Sequence, residues 1–285
     1  MRQLKVLFLP HPLDEVNVAW GRDVLAAIGD HHDLRVFDRD LAAEPQFQDV
    51  EAIVDVGGNI RGEWVDIAKN AGVQFLQAQT NGLDHVEVDK IRASGMMLAH
   101  CPGELSSVAL AEGAMMFILM LAHRHGDAQH NFVAGKIFFP MGMELVDRRL
   151  GIVGFGASGQ DLARRASAFG MRIMAVDIRP IEQEVLDEIQ PAFLGGPDDL
   201  DRLMAECDFI SVHLHLTAKT RHIIDERRIK LMKPTACVIN VARGEYTEHE
   251  SATPTGRICT GCATPSFSTN STTTTPWCTW NWPAT

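Results

Sequence analysis

Short apolar segments alternate with amphipathic segments along most of this 285-residue chain. The apolar segments are rich in Val, Ile, Leu, Phe and Met, which suits strands that are buried on both faces. When each such strand is followed by a helical stretch, the strands form a parallel sheet that helices cover. In the first hundred residues the predicted strands are LKVLFL at 4–9, LRVF at 34–37, AIVDV at 52–56, VQFLQ at 73–77 and MMLAH at 96–100.

The alternation restarts after a long apolar stretch, Ala109–Arg124, which is predicted to be a buried helix because it is shorter than the roughly 18–20 residues that span a bilayer. Further strands are predicted at 148–156, 171–177, 207–214 and 236–242, with helices at 157–170 and 225–232. The chain is therefore predicted to be an α/β protein with two doubly wound parallel-sheet domains, 1–100 and 101–245. Residues 246–285 lose the pattern and are predicted to form an aberrant, disordered tail.

Composition and charge narrow the possible partners. A hydrophobic content of 46% and a charged content of 22% are ordinary for a soluble globular protein. The formal net charge of -11 argues against nucleic acid as a partner. The N-terminal segment lacks a small-residue cleavage site, and Cys101, Cys207 and Cys237 lie singly in apolar sequence. We expect a cytoplasmic protein with no membrane and no nucleic-acid partner.

Three glycines, Gly154, Gly156 and Gly159, form a G-x-G-x-x-G motif between a predicted strand and a predicted helix. In that context the glycines allow a tight turn, the approach of the backbone to a pyrophosphate, and close packing of helix on strand. The helix begins with Ala157 and Ser158, whose backbone N–H groups are free to bind phosphate oxygens. The motif predicts a dinucleotide site.

The next predicted strand ends at Asp177, where a carboxylate accepts hydrogen bonds from the adenosine ribose hydroxyls and repels a 2′-phosphate. NAD is therefore the expected cofactor. NADP is the less favoured alternative, which nearby Arg179 leaves open.

Five segments together resemble the D-isomer-specific 2-hydroxyacid dehydrogenases, the family of phosphoglycerate dehydrogenases and glyoxylate/hydroxypyruvate reductases. They are LGIVGFGASGQDLARRASAFGMRIMAVDIRP, CDFISVHLHLTAKTRHIID, MKPTACVINVARGE, QTNGLDHVEVDKI and CPGELSSVALAE. The resemblance implies a flavodoxin-like substrate domain and a Rossmann NAD-binding domain. It also implies hydride transfer between a nicotinamide and a small D-2-hydroxy or 2-oxo acid, by a protein that commonly forms homodimers.

The resemblance also assigns roles to single residues. Arg243 matches the arginine that binds the substrate carboxylate, a role that a guanidinium fulfils by a bidentate contact. Asn81 and Gly82 match the loop whose backbone amides hold the same group, Val241 and Ala242 match the segment beside the nicotinamide, and Leu214 matches the chain that passes the cofactor. No metal site is predicted. His213 and His215 are interpreted first as packing or supporting residues, and His215 stands where the family usually has proline.

The tail has three interpretations. It contains no Leu, Val, Met, Lys or Asp, but Trp277, Trp280 and Trp282 are unusual for a natural disordered tail. Cys259 and Cys262 have the spacing of a zinc or redox pair without a second pair of ligands. The third interpretation, which we favour, is a frameshift. Because Trp has one codon, TTPWCTWN read two nucleotides later can spell HPLVHLE, with Val and Glu forced, which resembles the family's sequence before its catalytic Thr-Pro-His.

The family's catalytic Glu and His are expected after Glu245, and neither motif is found there. The alternative function is therefore a non-catalytic NAD-binding remnant of a dehydrogenase.

Overall fold

A computed structural model of the chain describes residues 2–11 and 21–247, together with the backbone of 258–260. The chain divides into two compact units, Met1–Pro102 and a second unit that begins at Gly103. Each unit is built around one parallel sheet.

The first unit has a five-stranded sheet in the order β2-β1-β3-β4-β5, and every neighbouring pair is parallel. This is the flavodoxin-like order, whose switch point lies between β1 and β3. Its elements are β1 Lys5–Leu9, α1 Arg22–Gly29, β2 Asp33–Val36, α2 Ala43–Gln46, β3 Ala52–Asp55, α3 Glu63–Asn70, β4 Phe75–Ala78, α4 Val88–Ser94 and β5 Met97–His100.

The core of the first unit lies between its sheet and its helices. Leu7, Ile53 and Leu76 lie on three neighbouring strands and are 0–1% exposed. They belong to the same cluster as Val65 of α3 and Ile91 of α4, which are fully buried. Burial of these apolar side chains is the main force that holds the helices on the sheet.

The second unit has a six-stranded sheet in the order β11-β10-β9-β6-β7-β8, again with parallel neighbours. Counted from β6, this is the Rossmann order 3-2-1-4-5-6. Its elements are α5 Ser107–Ala122, α6 His125–Val133, β6 Arg149–Val153, α7 Ala157–Ala168, β7 Arg172–Val176, α8 Gln183–Ile189, β8 Phe193–Gly195, α9 Leu200–Glu206, β9 Phe209–Val212, α10 Glu226–Leu231, β10 Cys237–Asn240 and β11 Ile258–Thr260. The predicted fold class, two doubly wound parallel sheets, is confirmed.

The long apolar helix α5 packs into the core of the second unit, where Ala111, Ala114 and Ile118 are fully buried. Among the described residues no single helix is long and apolar enough to cross a membrane. Ser107–Ala122 and His125–Val133 pass that test together by length and composition, but the pair is bent by 56°.

The end of the described chain differs from the expected disordered tail. Tyr246 and Thr247 are buried, and Ile224 and Thr247 form an isolated parallel bridge. Strand β11 pairs with β10, with Ile258 opposite Val238. A strand edge offers unpaired backbone groups to any segment that reaches it, so this pairing does not depend on an apolar sequence pattern. Cys262 and the three tail tryptophans lie outside the described residues. The structure therefore does not test the frameshift interpretation.

Candidate functional site

The glycine-rich turn lies at the switch point of the second sheet, where β6 and β9 are neighbours. Val153 and Val212 are paired across these strands, and the backbone N–H of His213 donates to Val153 O at 2.8 Å. The segments that follow, from Gly154 and from His213, therefore leave the sheet side by side. Doubly wound sheets bind their ligands in the crevice at this switch point in the strand order.

Two of the three predicted glycines have a steric reason to be glycine, and the third borders open space. Gly154 has φ +95°, and a Cβ there would lie 2.6 Å from His213 O. A Cβ on Gly159 would collide with Gly154 O, so helix α7 packs directly on the turn. At Gly156 a Cβ would meet one group, the guanidinium tip of Arg179 at 3.3 Å. The space over Gly156 is therefore open to a ligand.

The first turn of α7 presents free backbone donors beside that space. The helix's backbone hydrogen bonds begin with Gln160 N–H, which donates to Gly156 O at 2.9 Å. In the described part of the chain, the N–H groups of Ala157, Ser158 and Gly159 have no hydrogen-bond acceptor. Together with the positive end of the helix dipole, these groups can bind an anion.

Asp177 directly follows β7, with its carboxylate turned back toward the glycine turn. Its Oδ2 accepts from Phe155 N at 2.7 Å, and its Oδ1 accepts from Arg179 N at 2.9 Å. The side chain of Asp177 is 8% exposed, whereas that of Arg179 is 66% exposed, with its Nε 3.5 Å from Oδ1. A carboxylate has about four lone-pair sites, so each oxygen can accept one further hydrogen bond.

The two histidines after β9 differ in their surroundings. The ring of His213 is partly buried between two hydroxyls, with Nδ1 3.0 Å from Ser158 Oγ and Nε2 2.9 Å from Ser211 Oγ. Burial lowers the pKa of His213 to about 4, so the ring is neutral at pH 7. His215 is exposed. Leu214, between them, packs against the core cluster that contains Val212.

The turn after β10 is held by Asn240, a residue that the motifs did not single out. Its side chain accepts from Ala242 N at 3.1 Å and donates to Arg243 O at 2.6 Å. Arg243 is partly buried and donates from Nη1 to Ala242 O at 3.0 Å. Val241 is 2% exposed and belongs to the core, so a ligand beside it would meet its backbone. Asn240 thus fixes the backbone that carries the predicted carboxylate-binding arginine.

Tyr246 was predicted to be tail but supports the site. It is fully buried, and its hydroxyl donates to Leu214 O at 2.7 Å. The segment that carries it also binds the loop after β9, because the N–H groups of His222 and Ile224 donate to Glu245 O and Tyr246 O. The hydrogen bond between the Tyr246 hydroxyl and Leu214 O therefore ties the chain at Leu214 to the turn that follows Arg243.

In the first unit, Asn81 and Gly82 lie in the turn after β4. Thr80 Oγ1 donates to Gly82 O at 3.1 Å, and Cys101 N donates to Thr80 O at 3.0 Å. Among the described residues, the N–H groups of Asn81 and Gly82 have no hydrogen-bond acceptor. These two amides are therefore free to bind an anionic group.

Nearby, Asp55 at the end of β3 is 2% exposed and organises its own loop. It accepts from Asn59 N, Asn59 Nδ2 and Ile60 N at 2.7–2.9 Å. Burial raises the pKa of Asp55, and these hydrogen bonds oppose the rise. Across the residues that the structure describes, no cluster of His, Cys, Asp and Glu could hold a metal ion.

The chain is similar in sequence and in fold to known proteins. Residues 115–253 match the NAD binding domain of the D-isomer specific 2-hydroxyacid dehydrogenases. The chain belongs to the D-isomer specific 2-hydroxyacid dehydrogenase family. The resemblance in sequence is thereby confirmed.

Among relatives in this dehydrogenase family, a glyoxylate reductase from Thermococcus onnurineus is 33% identical over 214 residues, which are 72% of this chain and 62% of the relative. The chain thus spans less than two thirds of that relative's length. A D-lactate dehydrogenase from Aquifex aeolicus, complexed with NAD and lactic acid, superimposes with a TM-score of 0.70 at 25% identity. The match covers 85% of this chain and 70% of the D-lactate dehydrogenase chain. An acyclic imino acid reductase in complex with NADPH and D-arginine has a TM-score of 0.70 at 23% identity, over 86% of this chain and 76% of its own, and shows the shared fold.

Proposed function

We propose that the chain derives from, and binds its ligands as, an NAD-dependent oxidoreductase of small D-2-hydroxy and 2-oxo acids. The observation that carries this proposal is the open glycine turn at the switch point. Among the described residues, a Cβ on Gly156 would meet only a flexible guanidinium tip, and three amides at the start of α7 beside it have no acceptor. That arrangement fits a dinucleotide pyrophosphate.

In this proposal the residues of the second unit bind and orient the cofactor. Ala157, Ser158 and Gly159 donate to the pyrophosphate, and Asp177 accepts from the adenosine ribose. The backbone of Val241, together with Ala242 and Leu214, borders the nicotinamide. A bound nicotinamide cofactor supplies the hydride acceptor or donor.

Each unit is proposed, by itself, to offer groups that can bind a carboxylate. Arg243 provides a guanidinium on a turn whose backbone Asn240 holds. Asn81 and Gly82 provide free amides in the first unit. Small 2-oxo acids are proposed as the substrate class because the relative is named a glyoxylate reductase.

NAD is proposed over NADP because the carboxylate of Asp177, whose side chain is 8% exposed, is expected to accept from the ribose hydroxyls and to repel a 2′-phosphate. Replacing Asp177→Ser is expected to weaken NADH binding about tenfold and to raise the affinity for NADPH relative to NADH. Fluorescence titration with both cofactors measures the ratio, and Asp187→Ser, an exposed site in the same unit, is the matched control. An unchanged ratio in the Asp177 variant would remove this residue from the site.

The second candidate, a non-catalytic NAD-binding protein, is favoured by one observation. The sequence after Glu245 carries neither the Glu motif nor the Thr-Pro-His motif of the family. General acid–base catalysis contributes about 10²–10⁴ in rate, so its loss leaves binding intact while turnover falls.

Binding and turnover therefore have to be measured on the same sample. We expect NADH to bind and the reduction of glyoxylate, hydroxypyruvate or pyruvate to be about a hundredfold or more below that of a chain with the restored reading frame. NADH absorbance reports turnover in both proteins. Failure of NADH to bind would refute both candidates, and rapid turnover by this chain would refute the non-catalytic one.

A homodimer is proposed on the basis of an exposed apolar surface in the second unit. Phe132, Ile137, Phe138, Phe139 and Met141 are 64–89% exposed within one short segment. Apolar patches of this kind mark interaction surfaces. Light scattering should show a dimer that Phe138→Asp dissociates, whereas Leu41→Asp, at an exposed leucine of the first unit, should not. A wild-type monomer would refute the proposal.

A further inference from the structure

Ser211, Ser158 and His213 form a hydrogen-bonded chain that the family motifs do not explain. Ser211 lies on β9 in the middle of the sheet and is fully buried. Its hydroxyl is 2.9 Å from Nε2 of His213, and within the described residues it has no other hydrogen-bond partner. The other ring nitrogen of His213 is 3.0 Å from the hydroxyl of Ser158, in the first turn of α7.

The buried serine decides which ring nitrogen carries the proton. A neutral imidazole has one N–H donor and one acceptor nitrogen. If Nε2 carried the proton, the Ser211 hydroxyl proton would be buried without an acceptor, which is unfavourable. Ser211 therefore donates to Nε2, and the proton lies on Nδ1. Nδ1–H then donates to Ser158 Oγ.

This direction leaves the proton of Ser158 available. The Oγ of Ser158 accepts from His213, and no acceptor for its own O–H exists among the described residues. The hydroxyl lies on the same helical turn as the unpaired amides of Ala157 and Gly159. We propose that Ser211 and His213 are positioning residues that turn the Ser158 hydroxyl toward an anion, the pyrophosphate of a dinucleotide.

The proposal rests on the proposed cofactor site and adds a donor to it. In the order Ser211, His213, Ser158, each group donates to the next, and the last proton is free for a phosphate oxygen. Chains of this kind polarise their members, and a hydrogen bond to a charged group is stronger than one between neutral groups. The three side chains thus act as one donor that the protein orients before the ligand arrives.

Ligand fragments separate this role from a general structural one. Ser158→Ala should weaken binding of NADH and of ADP-ribose about tenfold and leave binding of adenosine, which lacks phosphate, unchanged. Ser167→Ala, at an exposed serine near the other end of α7, should change none of the three. An equal loss for all three ligands, or no loss for any, would overturn the proposal.

Variants of His213 test the positioning step. His213→Phe should weaken NADH binding nearly as much as Ser158→Ala, and the double variant should show no additional loss, because both changes remove the same donor. His213→Asn, whose amide can still donate to Ser158, should recover part of the affinity. Additive losses in the double variant would show that the two residues act separately.

A measurement without ligand tests the proton's position directly. Long-range ¹H–¹⁵N correlation spectra of the chain at pH 7 should show the Nδ1–H tautomer of His213, which Ser211→Ala should shift toward a mixture. A wild-type Nε2–H tautomer would overturn the inference. If NADH fails to bind while the Nδ1–H tautomer is observed, the proposed function fails and the hydrogen-bond chain stands without its ligand.

Discussion

The two sheets each place glycines directly after the strand at their switch point, and the two turns can be compared. In the first unit Gly57 and Gly58 follow β3 with φ +98° and +70°. In the second unit Gly154 and Gly156 follow β6. A Cβ on Gly58 would collide with the ring of His85, whereas a Cβ on Gly156 would meet a flexible arginine tip at 3.3 Å. Protein fills the space over the first turn, and the second turn is open.

The carboxylates beside the two turns show the same contrast. The carboxylate of Asp55 accepts hydrogen bonds from its own loop, from Asn59 and Ile60. Asp177 also accepts from loop amides, but in the part of the chain that the structure describes three amides of α7 beside it have no acceptor. Strand order therefore creates a crevice in both units, and the side chains over the glycines decide which crevice admits a nucleotide.

The largest expected effect tests the open turn. In Gly159→Ala the new Cβ would collide with a backbone oxygen, so α7 must move away from the turn. We expect the free energy of unfolding to fall by about 2–3 kcal/mol and NADH affinity to fall about a hundredfold. Urea unfolding and fluorescence titration measure the two effects. Gly196→Ala, where a Cβ would meet no atom of the described residues within 4 Å, should change neither.

A smaller effect is expected at the filled turn. Gly58→Ala adds a Cβ at φ +70° against His85, and it should lower the free energy of unfolding by about 1–3 kcal/mol without changing NADH affinity. In a His85→Ala background the clash with the ring is removed, so most of the steric cost should disappear. The contact with His85 O at 3.2 Å and the cost of the positive φ should remain. A loss of NADH affinity in Gly58→Ala would contradict the division of roles between the two turns.

The smallest effect concerns pH. Because His213 titrates at about 4 in the folded chain and near 6.5 when unfolded, the unfolded state binds more protons between these values. The contribution of neutral, buried His213 to the free energy of unfolding is present in full above pH 6.5 and is lost as the pH falls toward 4. Between pH 7 and pH 5 the free energy of unfolding should drop by about 1–2 kcal/mol. The raised pKa of Asp55 acts in the opposite direction.

Urea unfolding of wild type and His213→Asn at both pH values isolates the histidine from Asp55. The variant should lack the drop that His213 causes. An equal pH dependence in both proteins would show that the ring of His213 is not kept neutral by its burial between the two hydroxyls.

Local sequence patterns were sufficient to predict the order of most strands and helices. Runs such as Lys5–Leu9 and Cys237–Asn240 are apolar on both faces, and only a parallel sheet covered on both sides buries them. The glycine motif and Asp177 were also predictable, because backbone geometry at a strand-to-helix turn restricts the residue type. The three-residue strand Phe193–Gly195 and helix Leu200–Glu206 carried too little periodicity to be recognised.

The tertiary structure decided which side chains meet across long stretches of sequence. Ser158 and His213 are 55 residues apart, and Tyr246 and Leu214 are 32 apart, yet both pairs are hydrogen-bonded. The ring of His85 over Gly58 likewise depends on how two loops leave neighbouring strands. Periodicity reports which face of an element is buried, but a hydrogen bond requires two particular atoms within about 3 Å. Only the packing of the elements brings such atoms together, so the sequence alone predicts the turn and the tertiary structure determines the donors around it.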